Sequence, residues 1–161
     1  MLIFNSKAVV ERRGFRPKIF DDRLFGLNGN DTLTGGNGND WLQGASGGAG
    51  TTAHIDRDVL LGGGGTDYYV LGTGNTSFYM SSGYATLRQF DIRYDWVVLA
   101  NGIDYYSSRI QLQTVNISGG SAADTLISLD GNLIGVIEDR NFTTVDRGQL
   151  FLNSNQVTQG W

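Results

Sequence analysis

Between residues 17 and 70 large apolar side chains return once every nine residues, separated by glycines and short polar residues. Cut into nines from Pro17, the chain reads PKIFDDRLF, GLNGNDTLT, GGNGNDWLQ, GASGGAGTT, AHIDRDVLL and GGGGTDYYV. Position eight holds Leu24, Leu33, Leu42, Thr51, Leu60 and Tyr69, and position six holds Asp22, Asp31, Asp40, Ala49, Asp58 and Asp67. Five of the six frames therefore place a large apolar residue two positions after an aspartate. The pattern predicts a short strand at positions seven to nine, with the eighth side chain turned into a narrow apolar core. Each nonad is a turn and a strand. Two complete a coil, and turns two repeats apart stack on one edge.

After Val70 glycine thins and the apolar spacing changes. SFYM (77–80), YATLRQF (84–90), DWVVL (95–99), RIQLQTVNI (109–117), DTLISL (124–129), NLIGVIE (132–138) and QLFLN (149–153) read as strands. Turn signals separate them at Asn101-Gly102, Gly119-Gly120 and Asp130-Gly131, the last closing a hairpin. No segment keeps a helical period over a dozen residues. The expected fold is all-β: a stack of turn-and-strand coils over residues 21–73, continued by a β-rich cap over 74–161. A repeat stack exposes an apolar end, and the cap covers it. Residues 1–20 form a basic N-terminal tail.

Composition sharpens the picture in the repeats. Fifteen of the 24 glycines lie between Gly26 and Gly74, and 14 of the 16 acidic residues are aspartates. Glycines at positions one, two and four allow positive φ, so the backbone turns sharply with its carbonyls inward. Those carbonyls and the position-six carboxylate make an all-oxygen site of the kind Ca²⁺ prefers. Neither turn alone supplies six to eight oxygens, so a cation belongs between stacked turns. Candidate ligands are the carboxylates of Asp22, Asp31, Asp40, Asp58 and Asp67. The turn residues Gly26, Asn28, Gly29, Gly35, Gly36, Asn37, Gly38, Gly62, Gly63, Gly64 and Gly65 complete the set. About two calcium ions are expected, with three as the upper count.

Residues 44–58 admit two framings. Two degenerate repeats in frame would put Asp22, Asp40 and Asp58 on one edge. One repeat with a bulged turn would stack Asp31 on Asp58 and Asp40 on Asp67. AHIDRD lacks the glycines a tight turn needs, which favours the bulge. Either way Asp22 partners Asp40.

GGNGNDWLQ and GGGGTDYYV match G-G-x-G-x-D-x-U-x in full, and GLNGNDTLT departs only at Leu27. The stretch thus resembles the RTX (hemolysin-type) calcium-binding nonapeptide family, and the resemblance implies that residues 21–73 form a short right-handed parallel β-roll of nonapeptide repeats. YATLRQFDIRYDWVVL is similar to a segment that follows the repeats in cyanobacterial hemolysin-type calcium-binding domains, although Gln89 stands at its usual acidic place. The resemblance implies a secreted or surface-associated calcium-binding protein that folds on meeting calcium. It also implies type I export through an uncleaved C-terminal signal that includes LFLNSNQVTQGW.

Charge and motifs narrow the function classes. The net charge of −4 does not suggest nucleic-acid binding. No run approaches the ~18 apolar residues of a membrane helix, and MLIFNSKAVVERR lacks the build of a cleaved signal. With no cysteine, disulfides and thiolate sites are excluded. His54 is the only histidine and HExxH is absent, so no catalytic residue is assigned and a non-enzymatic role is expected. Asp91 and Asp95 read as turn residues. Lys7, Arg12, Arg13, Arg16 and Lys18 could meet an anionic surface or an acidic protein. That basic run supports an alternative, an intracellular accessory subunit held in a larger complex through the tail or cap.

Overall fold

A computed structural model of the protein describes residues 9–12 (main chain only), 20–46, 55–117, 120 and 122–157. Ala49, Thr51, His54, Lys7, Arg13, Arg16 and Lys18 lie outside the described residues, as do the last four residues of the expected export signal. The fourteen strands are β1 Val9–Arg12, β2 Asp22–Leu27, β3 Thr32–Asn37, β4 Trp41–Ala45, β5 Arg57–Gly64, β6 Tyr68–Val70 and β7 Gly72–Thr73, then β8 Thr76–Ser77, β9 Tyr84–Arg88, β10 Trp96–Leu99, β11 Ile110–Val115, β12 Asp124–Leu129, β13 Asn132–Ile137 and β14 Phe151–Asn153. The only helical turns among the described residues are two three-residue 3₁₀ segments. The fold is all-β.

Successive repeat strands alternate between two six-stranded sheets. One runs β1-β2-β4-β6-β10-β14 and the other β11-β12-β13-β9-β5-β3. β2, β4, β6, β10 and β14 pair in parallel, and so do β3, β5, β9 and β13. The parallel ladders run on past Val70 into the second half of the chain. Antiparallel pairs close them: β1 on β2 at one end, β11 and β12 beside β13 at the other. Val9–Arg12, within the basic segment, thus lies on the edge of the first sheet.

Register explains the nine-residue beat. Leu24, Leu42, Tyr69, Val97 and Phe151 align strand to strand in one sheet. Leu33, Leu60, Leu87 and Ile137 do so in the other. Both rows face inward and are buried. Burying each such side chain contributes about 1.5–3 kcal/mol, enough to hold the register although the turns between them are rich in glycine.

Three local readings change. The strand expected at SFYM stops at Ser77, because Tyr79 takes a left-handed φ of 59° and turns its ring into the core. Repeat strands also extend into the glycines, with Gly36 still paired to Gly63 and Asn37 to Gly64. Finally, among the described glycines of the repeats those with positive φ are Gly29, Gly36, Gly38, Gly63 and Gly65, all at positions two and four. Position one does not use that freedom and serves another purpose, described below. The Asp130-Gly131 hairpin is as expected, both residues having positive φ in a two-residue turn.

Leu27 stands at position two, where its fellows are glycines, and takes the same conformation at φ 76° while 40% exposed. A left-handed Leu costs roughly 1–2 kcal/mol, and glycine returns part of that gain as chain entropy, roughly 0.5–1 kcal/mol. Leu27→Gly should therefore stabilise the fold by on the order of 0.5–1 kcal/mol, while Leu27→Ala, keeping the strain, gains nothing. Thermal unfolding in calcium compares them, and a lower midpoint for Leu27→Gly contradicts this account.

Candidate metal centre

The turns entering β2, β4, β6 and β10 share one edge of the coil and carry Asp22, Asp40, Asp67 and Asp95. The carboxylates of Asp40, Asp67 and Asp95 each accept, through Oδ1, the main-chain N–H of the aspartate one coil earlier. Asp22 donates to Asp40 at 2.8 Å, Asp40 to Asp67 at 3.0 Å and Asp67 to Asp95 at 2.9 Å. On the opposite edge Asp31 donates to Asp58 at 2.8 Å. Asp31 stacks on Asp58 and Asp40 on Asp67, which is the pairing of a single repeat with a bulged turn. A second row braces the first from position five. Asn39 Oδ1 accepts from Thr66 N–H and Asn30 Oδ1 from Arg57 N–H.

These aspartates are almost completely enclosed: Asp40 and Asp67 expose 0% of their surface and Asp31 3%. One oxygen of Asp40 and one of Asp67 accept an N–H of the preceding coil. Oδ2 of Asp31, Asp40 and Asp67 is buried with no hydrogen-bond partner among the described residues. An unpaired buried carboxylate is costly, and the acidities follow. Burial pushes Asp40 and Asp58 up to about 6 and Asp67 up to about 7, and it raises Asp31 and Asp95 as well. Neighbouring carboxylates push the same way, Asp22 on Asp40 and Asp95 on Asp67.

Position-one glycines make the room for these oxygens. A Cβ on Gly26 would meet Asp31 Oδ2 at 2.8 Å and the Gly44 carbonyl oxygen at 2.6 Å. One on Gly35 would strike Asp40 Oδ2 and come within 2.8 Å of the Gly62 carbonyl oxygen. Each cradle thus gathers an orphan carboxylate oxygen and a carbonyl oxygen from the next coil. Among the described residues no three His, Cys, Asp or Glu side chains converge to hold a metal, so main-chain oxygens must complete any shell. Oxygen donors without nitrogen or sulfur fit a hard cation such as Ca²⁺.

The candidate residues separate by role. Asp31, Asp40 and Asp67 present free buried oxygens, whereas Oδ2 of Asp58 accepts the Tyr79 hydroxyl at 2.5 Å. Asn28 and Asn37 are exposed, and the Asn37 carbonyl already accepts from Phe20 N–H. Gly29 donates its N–H to Asp56, which also lies inside the edge. Asp91 is a turn residue, held down to about 2 by hydrogen bonds and an ion pair with Arg93. Asp95 is more than that: 2% exposed, it continues the carboxylate ladder. Its signal was present in Asp95 and Val97, an aspartate two residues before an inward apolar side chain, 28 residues after Asp67.

Coil, cradles and carboxylate ladder define a repeat architecture built to hold hard cations between its turns. Residues 19–49 and 55–77 match the family model of the RTX calcium-binding nonapeptide repeat, in four copies. No curated protein matches the chain.

Two consequences are measurable. Gly35→Ala puts a methyl group where Asp40 Oδ2 and the Gly62 carbonyl sit; it should remove at least one bound calcium ion, and an unchanged count by native mass spectrometry speaks against the cradle. Acidity gives the second. Carboxylates whose folded pKa lies above the ordinary 3.8 contribute stability below that value and lose it as pH rises through about 6–7. Without calcium, circular dichroism should show more folded structure at pH 5 than at pH 8. Calcium should reverse the order, since protons compete for the same oxygens.

Proposed function

We propose that this chain is a non-enzymatic calcium-binding β-roll that folds as calcium binds and works outside the cell or at its surface, in a structural or interaction role. The carrying observation is the pair of buried, partnerless oxygens on Asp31 and Asp40, each beside a carbonyl of the next coil. Asp31 with the Gly44 carbonyl would hold one ion, and Asp40 with the Gly62 carbonyl a second. When bound, calcium supplies the positive charge that these ionised carboxylates otherwise lack.

The chain's own residues set the folding switch. Glycine-rich turns lose much conformational freedom on ordering, and stacked carboxylates at neutral pH repel one another. A ligand that binds only the folded coil offsets this by RT ln(1 + [L]/Kd), about 1.4 kcal/mol per site at ten times Kd. Calcium modules outside cells bind in the range of roughly 10⁻⁴–10⁻³ M. A coil of that affinity stays loose at low cytosolic calcium and closes where calcium is plentiful, which suits passage through an export channel before folding. The RTX-type repeats over 19–49 and 55–77 support this reading.

Far-UV circular dichroism with calcium and then with EGTA tests it: strand signal should appear with calcium and fall on chelation. Asp40→Ala should cost at least one ion. A chain that is equally folded in EGTA, with the same ion count in the variant, refutes the proposal.

A further inference from the structure

The four position-one cradles are not alike. Those of Gly26 and Gly35 pair an orphan carboxylate oxygen with a carbonyl of the next coil. Gly44 and Gly62 carry the last position-one cradles described on their respective edges, and each contains a tyrosine hydroxyl instead. A Cβ on Gly62 would meet Tyr69 Oη at 2.5 Å, and one on Gly44 would meet Tyr79 Oη at 2.5 Å. Tyr69 comes from the inward row of its own repeat, donates to the Arg88 carbonyl at 2.7 Å and accepts from Gly62 N–H at 2.9 Å. Its hydroxyl leaves Asp67 Oδ2 without a partner. Tyr79 lies beyond the repeats and donates directly to Asp58 Oδ2.

We propose that Tyr79 ends the calcium ladder on its edge, its hydroxyl taking the place at Asp58 and Gly44 that the earlier cradles reserve for a cation. The inference rests on the proposed calcium binding and concerns which cradles take part. A neutral O–H supplies the partner that Asp58 Oδ2 needs, so this carboxylate has no buried oxygen left over. The position is bought with backbone strain, since Tyr79 is one of five described non-glycine residues with positive φ. Strain of this kind persists where the surroundings require it. Here the left-handed turn interrupts the strand begun at Thr76 and swings the ring, 6% exposed, through the core to the far edge of the turn. Beyond it the coil carries no aspartate in register on that edge: Asp58 aligns with Ala85 of β9. The ladder stops where the carboxylates do, and the tyrosine closes its last member.

Native mass spectrometry of the whole chain at saturating calcium tests this on Tyr79→Leu, which removes the hydroxyl and clears its space. One more calcium ion than in the parent is expected. The parent's count in a variant that circular dichroism shows folded overturns the inference. Folding of the variant is not indispensable, because the parent gives a second measurement. In the calcium-saturated protein the Tyr79 hydroxyl proton should give a far-downfield, slowly exchanging NMR resonance, coupled by NOE to its own ring. Absence of that resonance at saturating calcium means that calcium has displaced the hydroxyl, and overturns the inference equally. A parent that binds no calcium defeats both this inference and the proposed function, whereas a calcium-loaded parent that lacks the resonance defeats this one alone.

Discussion

Each coil is tied to the next by a buried carboxylate that has two oxygens and only one protein donor. Oδ1 of Asp40 holds the N–H of Asp22, and Oδ1 of Asp67 holds that of Asp40. These bonds bring successive turns into register and take the carboxylates out of water. Enclosure also leaves a second oxygen that the protein does not satisfy on Asp31, Asp40 and Asp67. The turns are thus well positioned and electrostatically incomplete, and the cation chemistry of the repeats follows from that imbalance.

The glycines divide the work. At positions two and four they provide the left-handed conformations that let the chain reverse in six residues, and the strained Leu27 shows what another residue endures there. At position one they provide vacant volume, which the carboxylate and the next coil's carbonyl occupy. The inward rows headed by Leu24 and Leu33 supply the cohesion that such turns cannot. Apolar burial and oxygen ligation therefore act on different parts of each repeat, strand and turn, so register and charge are controlled separately.

The second half of the chain does not merely cover an apolar end. Its strands β9, β10, β13 and β14 prolong the parallel ladders, and Asp95 prolongs the carboxylate row. The last cradles, at Gly44 and Gly62, contain tyrosine hydroxyls. Tyr69 and Tyr79 both reach in, but only Tyr79 donates to a carboxylate there, Asp58, while Tyr69 donates to the Arg88 carbonyl. Surface ion pairs such as Arg88–Glu138 and Arg109–Asp130 are exposed and contribute little beside this buried network.

The sequence by itself determined the repeat and much of its chemistry. A nine-residue period with aspartate at six and an apolar residue at eight has few other physical solutions, so the two-sheet coil, the inward rows and the stacking of Asp22 on Asp40 were all legible. The strand positions after Val70 were mostly legible too, because their alternation and the Asp130-Gly131 turn are local signals. What only the tertiary structure decided depends on contacts between distant residues. The 18-residue spacing of Asp22 and Asp40 is two plain nonads and the 27-residue spacing is the bulged turn that the missing glycines favoured, whereas the 28 residues from Asp67 to Asp95 follow from a changed loop that the period does not foretell. Asp95 read as a turn residue until its carboxylate met Asp67, and Tyr79 read as part of a strand until its hydroxyl met Asp58, 21 residues away. Position-one glycine looked like a hinge because sequence carries conformational preference, whereas the oxygens that fill its missing side chain come from the next coil.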